Sequence, residues 1–212
     1  MKLAIVGQQD FGKAVLEAFL ARGDTVAGVF CAPEKEGARP DSLRVAAQDK
    51  GLKVHQFKSL KAPEAAEALK AAGADIGIMA FVLQFAPQEF VRIPKHGTIQ
   101  YHPSLLPKYR GPSSINWPIS RGEKETGLTI FRPTDGLDEG AVILHHFLML
   151  IRNNEIRRLQ HGLDPHREQP VEVDAAQGVV LANRGLLLQD HRALVQAVGR
   201  PEDGQAGLLL AA

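Results

Sequence analysis

An α/β fold with a mostly parallel sheet is predicted for residues 1–147, and three observations carry that expectation. The chain opens as strand, turn, helix and strand, a unit whose right-handed crossover makes the two strands parallel. Short apolar runs then keep alternating with helical stretches as far as Ala80. Beyond it, β-type runs stop at loops that carry His102 and Asp138, and ligands in such sheets sit beyond the carboxyl ends of the strands.

Leu3 to Val6 is an apolar run that stops at Gly7, and Phe11, Val15 and Phe19 recur at helical spacing with Leu16 and Leu20 beside them. Gly23-Asp24 ends that helix, and Thr25 to Phe30 reads as a second buried strand. The loop between them, Gly7-Gln8-Gln9-Asp10-Phe11-Gly12, has two widely spaced glycines, short of a dinucleotide fingerprint and unlike a Walker loop. It reads either as a tight turn in which Gly7 relieves crowding or as an anion-binding helix start formed by Gly7, Gln8 and Gln9. Cys31 to Asp41 is polar and proline-bearing, hence a surface loop. Ser42 is placed to cap a helix running to about Lys50 and closed by Gly51, after which Lys53 to Phe57 alternates as a strand. Ala62 to Ala72 is alanine-rich and helical up to Gly73, and Asp75 to Ala80 is another short strand. Ala86 to Ile93 is expected to be a short helix entered through Pro87. Gly97 to Tyr101 is a strand-like run. Ser113 to Arg121 is a helical stretch that Pro118 should break or kink, and Thr126 to Arg132 and Ala141 to Phe147 are β-runs that bracket the Asp138 loop.

Composition narrows the function. At 212 residues and 44% hydrophobic content the chain can bury a substantial core. No run approaches the roughly 18 apolar residues of a membrane span, and polar residues interrupt MKLAIVGQQD where a signal peptide would be apolar. A cytoplasmic protein with no membrane partner is therefore expected. Lys+Arg 25 against Asp+Glu 24 leaves no excess charge for nucleic acid. Cys31 is the single cysteine, so it forms no internal disulfide or cysteine metal cluster and reads as a small buried hydrophobe beside Phe30. With neither an H-E-x-x-H nor a C-x-x-C set, no metal is expected.

His102 is followed at once by Pro103, which forces it out of a continuing sheet and toward solvent or substrate. Lys108 and Arg110 put cations close to it, suited to a phosphate or carboxylate or simply solvated. Asp135-Gly136-Leu137-Asp138-Glu139-Gly140 follows the β-run Leu128 to Phe131. One loop with a histidine and one with an aspartate are the raw material of a general acid/base site, although a surface histidine and a turn aspartate are the plainer readings. Phe81-Val82-Leu83-Gln84-Phe85-Ala86-Pro87, directly after a strand, reads as core or as the wall of a pocket. His145 and His146 are adjacent on a β-run, face opposite sides and cannot chelate one ion together.

The run His102-Pro103-Ser104-Leu105-Leu106-Pro107-Lys108-Tyr109-Arg110-Gly111, followed downstream by Asp138-Glu139-Gly140, resembles the signature of the folate-dependent formyltransferase family. That family includes methionyl-tRNA formyltransferase, glycinamide ribonucleotide formyltransferase and the hydrolase domain of 10-formyltetrahydrofolate dehydrogenase. Tyr101 and Ser114-Ile115-Asn116-Trp117 are most similar to that hydrolase domain. The resemblance implies a Rossmann-like sheet with 10-formyltetrahydrofolate as formyl donor and without a metal. It also implies His102, Asp138 and Gln100 as catalytic positions and a pterin pocket lined by Phe81, Leu83, Gln84, Phe85 and Ala86. Transferases of the family carry asparagine where Gln100 stands, and the dehydrogenase-type domain an aliphatic residue. The extra methylene of glutamine moves its amide by about 1.5 Å, enough to spoil an oxyanion contact that must lie within about 2.7 to 3.1 Å.

The expected function is cleavage or transfer of the formyl group of 10-formyltetrahydrofolate, with water as preferred acceptor. An amine acceptor such as methionyl-tRNA is the alternative, and the only route by which nucleic acid would become a partner. A nucleotide- or phosphate-binding module without catalysis is the alternative of another class. From about His145 onward the resemblance stops, and residues 148–212 read as a divergent tail of the kind left by an altered reading frame or a divergent gene end, with a divergent appended element, Leu181 to Leu188 and Arg192 to Val198 forming a helix or hairpin, as the alternative. From about Asn153 to Ala212 it is expected to be poorly ordered or loosely packed and to weaken turnover unless a partner or a neighbouring subunit covers the gap. No oligomeric state is read from the sequence.

Overall fold

The structure, a computed structural model, describes residues 1–151, 179–181, 195, 197 and 198. They belong to two compact units, one drawn from Met1–Tyr101, Ile130–Leu144 and His191–Ala212, the other from His102–Thr129 and His145–Asp190.

The first unit runs β1 (Lys2–Gly7), α1 (Gln9–Ala21), β2 (Thr25–Cys31), α2 (Ser42–Asp49), β3 (Val54–Gln56), α3 (Pro63–Ala72), β4 (Ile76–Ala80), α4 (Gln88–Val91) and β5 (Thr98–His102), whose last residue opens the second unit. The strands lie in the order β3-β2-β1-β4-β5 and every pair among them is parallel, as the sequence predicts. The order reverses between β1 and β4, and at such a switch point a crevice opens outside the carboxyl ends of the strands. Gly7 ends β1 there. A Cβ on it would stand 2.0 Å from the Ala80 carbonyl oxygen, so β1 and β4 end at a separation that only glycine permits.

Both faces of these strands are covered, which is why they read as near-continuous apolar runs. Ala4 and Val6 pack with Phe30, Leu69, Met79 and Phe90, while Leu3 and Ile5, of opposite parity, are fully buried as well. Helix α1 turns Phe11, Val15, Leu16 and Phe19 inward, and a Cβ on its Gly12 would lie 2.9 Å from Leu43 of α2. His55 stacks on Phe30 with ring centroids 4.8 Å apart.

The cap of α2 differs from expectation. It is Asp41 rather than Ser42: one Asp41 oxygen accepts from the N–H groups of Leu43 (3.0 Å) and Arg44 (3.1 Å), and the other from the N–H of Gln9 (2.7 Å). A carboxylate can serve two helix starts at once, which a single hydroxyl cannot, and Ser42 donates instead to Asp10 at 2.6 Å. Glu34 supports this cap by accepting from the Asp41 N–H (3.0 Å), from Gln56 Nε2 (2.9 Å) and from Arg44. These bonds, led by the one from the Asp41 backbone, hold the Glu34 carboxyl down at about 2. Burial, aided by the charges of Asp41 and Glu34, pushes the neighbouring Cys31 thiol up to about 12, so this cysteine is a core residue and no nucleophile.

Helix α3 ends on Gly73 in the left-handed conformation, as its sequence predicts. Helix α4 is shorter than the 86–93 stretch expected, because Pro87 is extended and acts as its cap while Pro94 biases Ile93 away from helix. Strands β6 (Glu125–Pro133) and β7 (Gly140–Ile151) are divided between the units. They are neighbours in the sheet, and residues 134–139 between them are too short for a crossover, so the pair is antiparallel. The Thr134 N–H closes the turn on the Glu139 carbonyl at 2.8 Å.

In the second unit α5 (Asn116–Ser120) carries Pro118 without breaking, since the helix starts only at Asn116 and a first-turn N–H has no intrahelical partner to lose. A Cβ on Gly127 of β6 would lie 2.3 Å from the His146 carbonyl oxygen of β7. β8 (Val179–Leu181) pairs in parallel with Met149–Ile151. Apart from β8, Val195, Ala197 and Val198, the expectation for a loose tail over 153–212 falls outside the described residues.

Two stability predictions follow from these contacts. Gly7→Ala should cost on the order of 3 kcal/mol, read by urea unfolding, because the obstacle is a main-chain oxygen that no rotamer change removes. Glu34→Gln should melt below the parent at neutral pH. A carboxyl with a depressed folded pKa stabilises above its unfolded value near 4.5 and loses that contribution as pH falls through about 2, so the gap should close over that window in thermal melts.

Candidate active site

In the first unit the polypeptide leaves β4 through Phe81, a non-glycine residue at φ 60, at the carboxyl end of the strand beside the switch point. The turn leaves apolar side chains in solvent: Phe81 is 38%, Leu83 72% and Phe85 49% exposed, while Ala86 is buried. Gln84 holds the segment in place, its Nε2 donating to the Phe57 and Lys58 carbonyls, each at 2.9 Å. The Lys61 ammonium stands 5.0 Å above the Phe85 ring. Apolar side chains kept out of the core by a fixed backbone make a wall that a flat ring can lie against.

Gln100 and Asp138 come together in the same unit, with Gln100 Nε2 donating to Asp138 Oδ1 at 3.2 Å. Asp138 is half-buried at φ 45, a region that aspartate tolerates better than most side chains. The following Gly140 is required by the fold, since a Cβ on it would stand 1.7 Å from the Arg132 carbonyl oxygen. At the start of α1, the Gln9 N–H is engaged by Asp41, so the anion at that helix start is the chain's own carboxylate.

In the second unit His102 is 5% exposed, the last residue of β5, and not turned to solvent as Pro103 suggests. The loop after it folds back over the ring: His102 Nε2 lies 2.9 Å from the Tyr109 carbonyl oxygen. A carbonyl can only accept, so Nε2 carries the proton of this bond. The Ser104 hydroxyl donates to the Lys108 carbonyl at 2.6 Å, and Thr129, fully buried, accepts from the Leu106 N–H (3.0 Å) while donating to the Ser104 carbonyl (2.7 Å). Tyr109 has φ 57, and its hydroxyl donates to Glu123 at 2.7 Å, a bond that raises its pKa. Lys108 and Arg110 are exposed.

Thr129, Glu123 and the Tyr109 carbonyl escaped the sequence reading. A threonine inside the apolar strand run Leu128 to Phe131 was the available signal for the first, because a buried hydroxyl needs partners. Main-chain acceptors leave no trace in side-chain identity. A surface hollow of about 370 Å³ between α1 and α2, lined by residues such as Lys13, Glu17, Ser42 and Lys50, contains none of the candidate residues. Among the described residues no group of three or more His, Cys, Asp or Glu could hold a metal ion, and no helix is long and apolar enough to cross a membrane.

A doubly wound α/β protein is the class these elements define. Within it, the chain belongs to the formyl transferase family, whose model matches residues 1–169. It is 36% identical over 211 residues to the mitochondrial 10-formyltetrahydrofolate dehydrogenase of Mus musculus, a match covering 97% of this chain and 20% of the relative. The cytosolic 10-formyltetrahydrofolate dehydrogenase of Xenopus tropicalis is 43% identical over 149 residues, 68% of this chain and 16% of the relative. Methionyl-tRNA formyltransferase of Thermotoga neapolitana is 36% identical over 149 residues, 68% of this chain and 48% of that protein. The chain thus spans about a fifth of the length of the first of these relatives. Among solved structures, phosphoribosylglycinamide formyltransferase from Bacillus halodurans superposes with TM-score 0.62 at 20% identity, covering 76% of this chain and 87% of that one. A formyltetrahydrofolate deformylase from Pseudomonas syringae gives 0.60 at 18%, covering 76% and 56%. At such identities the likeness is one of fold.

The Thr129 latch is testable by itself. Thr129→Val keeps the shape but strands the Leu106 N–H and the Ser104 carbonyl in the interior, which should lower stability by about 1 to 3 kcal/mol in urea unfolding.

Proposed function

We propose that the chain cleaves the formyl group of 10-formyltetrahydrofolate with water as acceptor. The observation that carries this reading is the bond from Gln100 Nε2 to Asp138 Oδ1 at 3.2 Å. An amide at this position would have to aim an N–H at the formyl oxygen to act as an oxyanion donor; here one of its two N–H groups is directed at a carboxylate, which draws the amide toward Asp138. The arrangement favours a site in which Asp138 is oriented for proton abstraction and the donor work rests on His102.

In the proposed sequence the folate ring lies against Phe81, Leu83 and Phe85. Water attacks the formyl carbon as the Asp138 carboxylate takes its proton, and the carbonyl electron pair moves to oxygen. The tetrahedral species collapses as the bond from carbon to N10 breaks. N10 leaves with a proton from a protonated His102, the formic acid formed is released and ionises to formate, and exchange with solvent returns Asp138 and His102 to their starting states. Similarity to proteins named 10-formyltetrahydrofolate dehydrogenase supports the donor, and the Pseudomonas syringae deformylase supports hydrolysis as a chemistry this fold accommodates. Transfer to methionyl-tRNA is the second reading, favoured by the match to the Thermotoga neapolitana enzyme. Near-balanced charge counts against it, since phosphate contacts dominate tRNA affinity.

Purified protein given 10-formyltetrahydrofolate should release formate and tetrahydrofolate in equal amounts. His102→Ala and Asp138→Asn should each lose about 10² to 10⁴ in turnover, the usual worth of a positioned acid or base. Formyl-methionyl-tRNA made faster than formate in a mixed assay would sink the water reading. No turnover of the formyl-folate together with tight binding of a nucleotide would favour a non-catalytic module.

A further inference from the structure

We infer that Tyr109 is a positioning residue: its main-chain carbonyl keeps a proton on Nε2 of His102, and Glu123 and Arg121 hold Tyr109 in the backbone conformation that this requires. The inference rests on the reading of His102 as the group that exchanges a proton with the formyl-folate, and it adds the residues that fix the tautomer of its ring.

The carbonyl lies 2.9 Å from Nε2, and His102 is almost fully enclosed, so rotating the ring to present its other nitrogen would break a buried hydrogen bond. The oxygen is aimed by an uncommon backbone, since Tyr109 sits at φ 57, where bulky L-residues are outliers. Glycine or asparagine would adopt that conformation more readily but could not reach a distant anchor. Tyrosine can. Its hydroxyl donates to Glu123 at 2.7 Å, and the Arg121 guanidinium lies 5.3 Å above its ring while also standing 5.4 Å from the Trp117 ring.

Both anchors are fixed to α5. The Arg121 N–H donates to the Trp117 carbonyl at 3.0 Å, and the Glu123 N–H to the Pro118 carbonyl at 3.0 Å. On the other side, Ser104 holds the adjoining peptide through the Lys108 carbonyl at 2.6 Å, with a longer 3.4 Å contact to the Tyr109 carbonyl itself. A continuous set of contacts therefore runs from α5 through Glu123 and Tyr109 to the imidazole. With Nε2–H held in this bond, the neutral ring is kept in one tautomer.

The test is ¹⁵N NMR of histidine-labelled protein near pH 8.5, about two units above the ordinary imidazole value. His102 is assigned by its absence in His102→Gln. In the parent, His102 should show a protonated Nε2 as its dominant state. Tyr109→Phe removes the hydroxyl anchor and keeps the ring, and Glu123→Gln removes the charge. Each should shift the His102 nitrogens toward an averaged pattern and lower kcat between about tenfold and a hundredfold with KM nearly unchanged. If one variant fails to fold in a thermal melt, the other carries the test. A parent His102 protonated only on Nδ1, or variants that fold and keep the parent's ¹⁵N pattern, would overturn the inference. Undiminished turnover in His102→Gln would instead overturn the catalytic reading of His102, whatever the NMR pattern shows.

Discussion

The close meeting of β1 and β4 at Gly7 and Ala80 is the constraint from which the rest of the first unit follows. With no room for a side chain between the strand ends, the two strands can lie side by side where the sheet order reverses. The chain leaving β1 must turn at once into α1, and its first N–H groups need an acceptor that the crowded turn cannot supply. Asp41 supplies one from the start of α2, so one carboxylate fixes two helix starts. The chain leaving β4 has the opposite problem. It escapes through a left-handed Phe81, and the apolar residues that follow stay in solvent instead of joining the core. Exposed Phe81, Leu83 and Phe85 are costly for a core but useful as a wall for a ring-shaped ligand.

The second unit solves a different problem with different means. A nearly enclosed imidazole needs polar partners for its ring nitrogens, which an apolar cage alone would not supply. Here the loop after His102 is pinned by polar bonds: Ser104 to the Lys108 carbonyl, Thr129 to the Leu106 N–H and the Ser104 carbonyl, Tyr109 to Glu123. The loop, Thr129 and Glu123 all lie within the same compact unit as the histidine.

Legibility in the sequence tracks which interactions depend on side-chain pattern. Strands β1, β2 and β4 and helices α1 and α3 were readable because burial on both faces imposes apolar runs and helical spacing, and Gly73 marks a left-handed helix end. The Asp41 cap was misassigned to its neighbour, since Asp41-Ser42 offers two good caps and only the second helix start, at Gln9, favours the carboxylate. Pro118 was misjudged for a similar reason: its effect depends on where the helix begins, which capping by main-chain turns decides. At the candidate site the motif from His102 to Gly111 was visible, and of the two directions open to His102, solvent or substrate, its burial excludes the first. Proline after a strand end governs the backbone, whereas the burial of the ring comes from a loop whose return path is set by main-chain acceptors.

Gln100 shows how a single methylene can redirect an amide. A shorter asparagine would hold its amide closer to the strand, within reach of a ligand lying over the end of β5; glutamine extends it by about 1.5 Å, and it meets Asp138. Asp138, at φ 45 in a turn closed by Thr134 and Gly140, presents its carboxylate from a fixed main chain. A charge-assisted bond between them orients the carboxylate and removes one donor from the space where a carbonyl oxygen would gain charge. On the proposed reading, one fewer donor for the tetrahedral species together with a better-oriented base favours water over a bulky amine, because water needs deprotonation more than positioning.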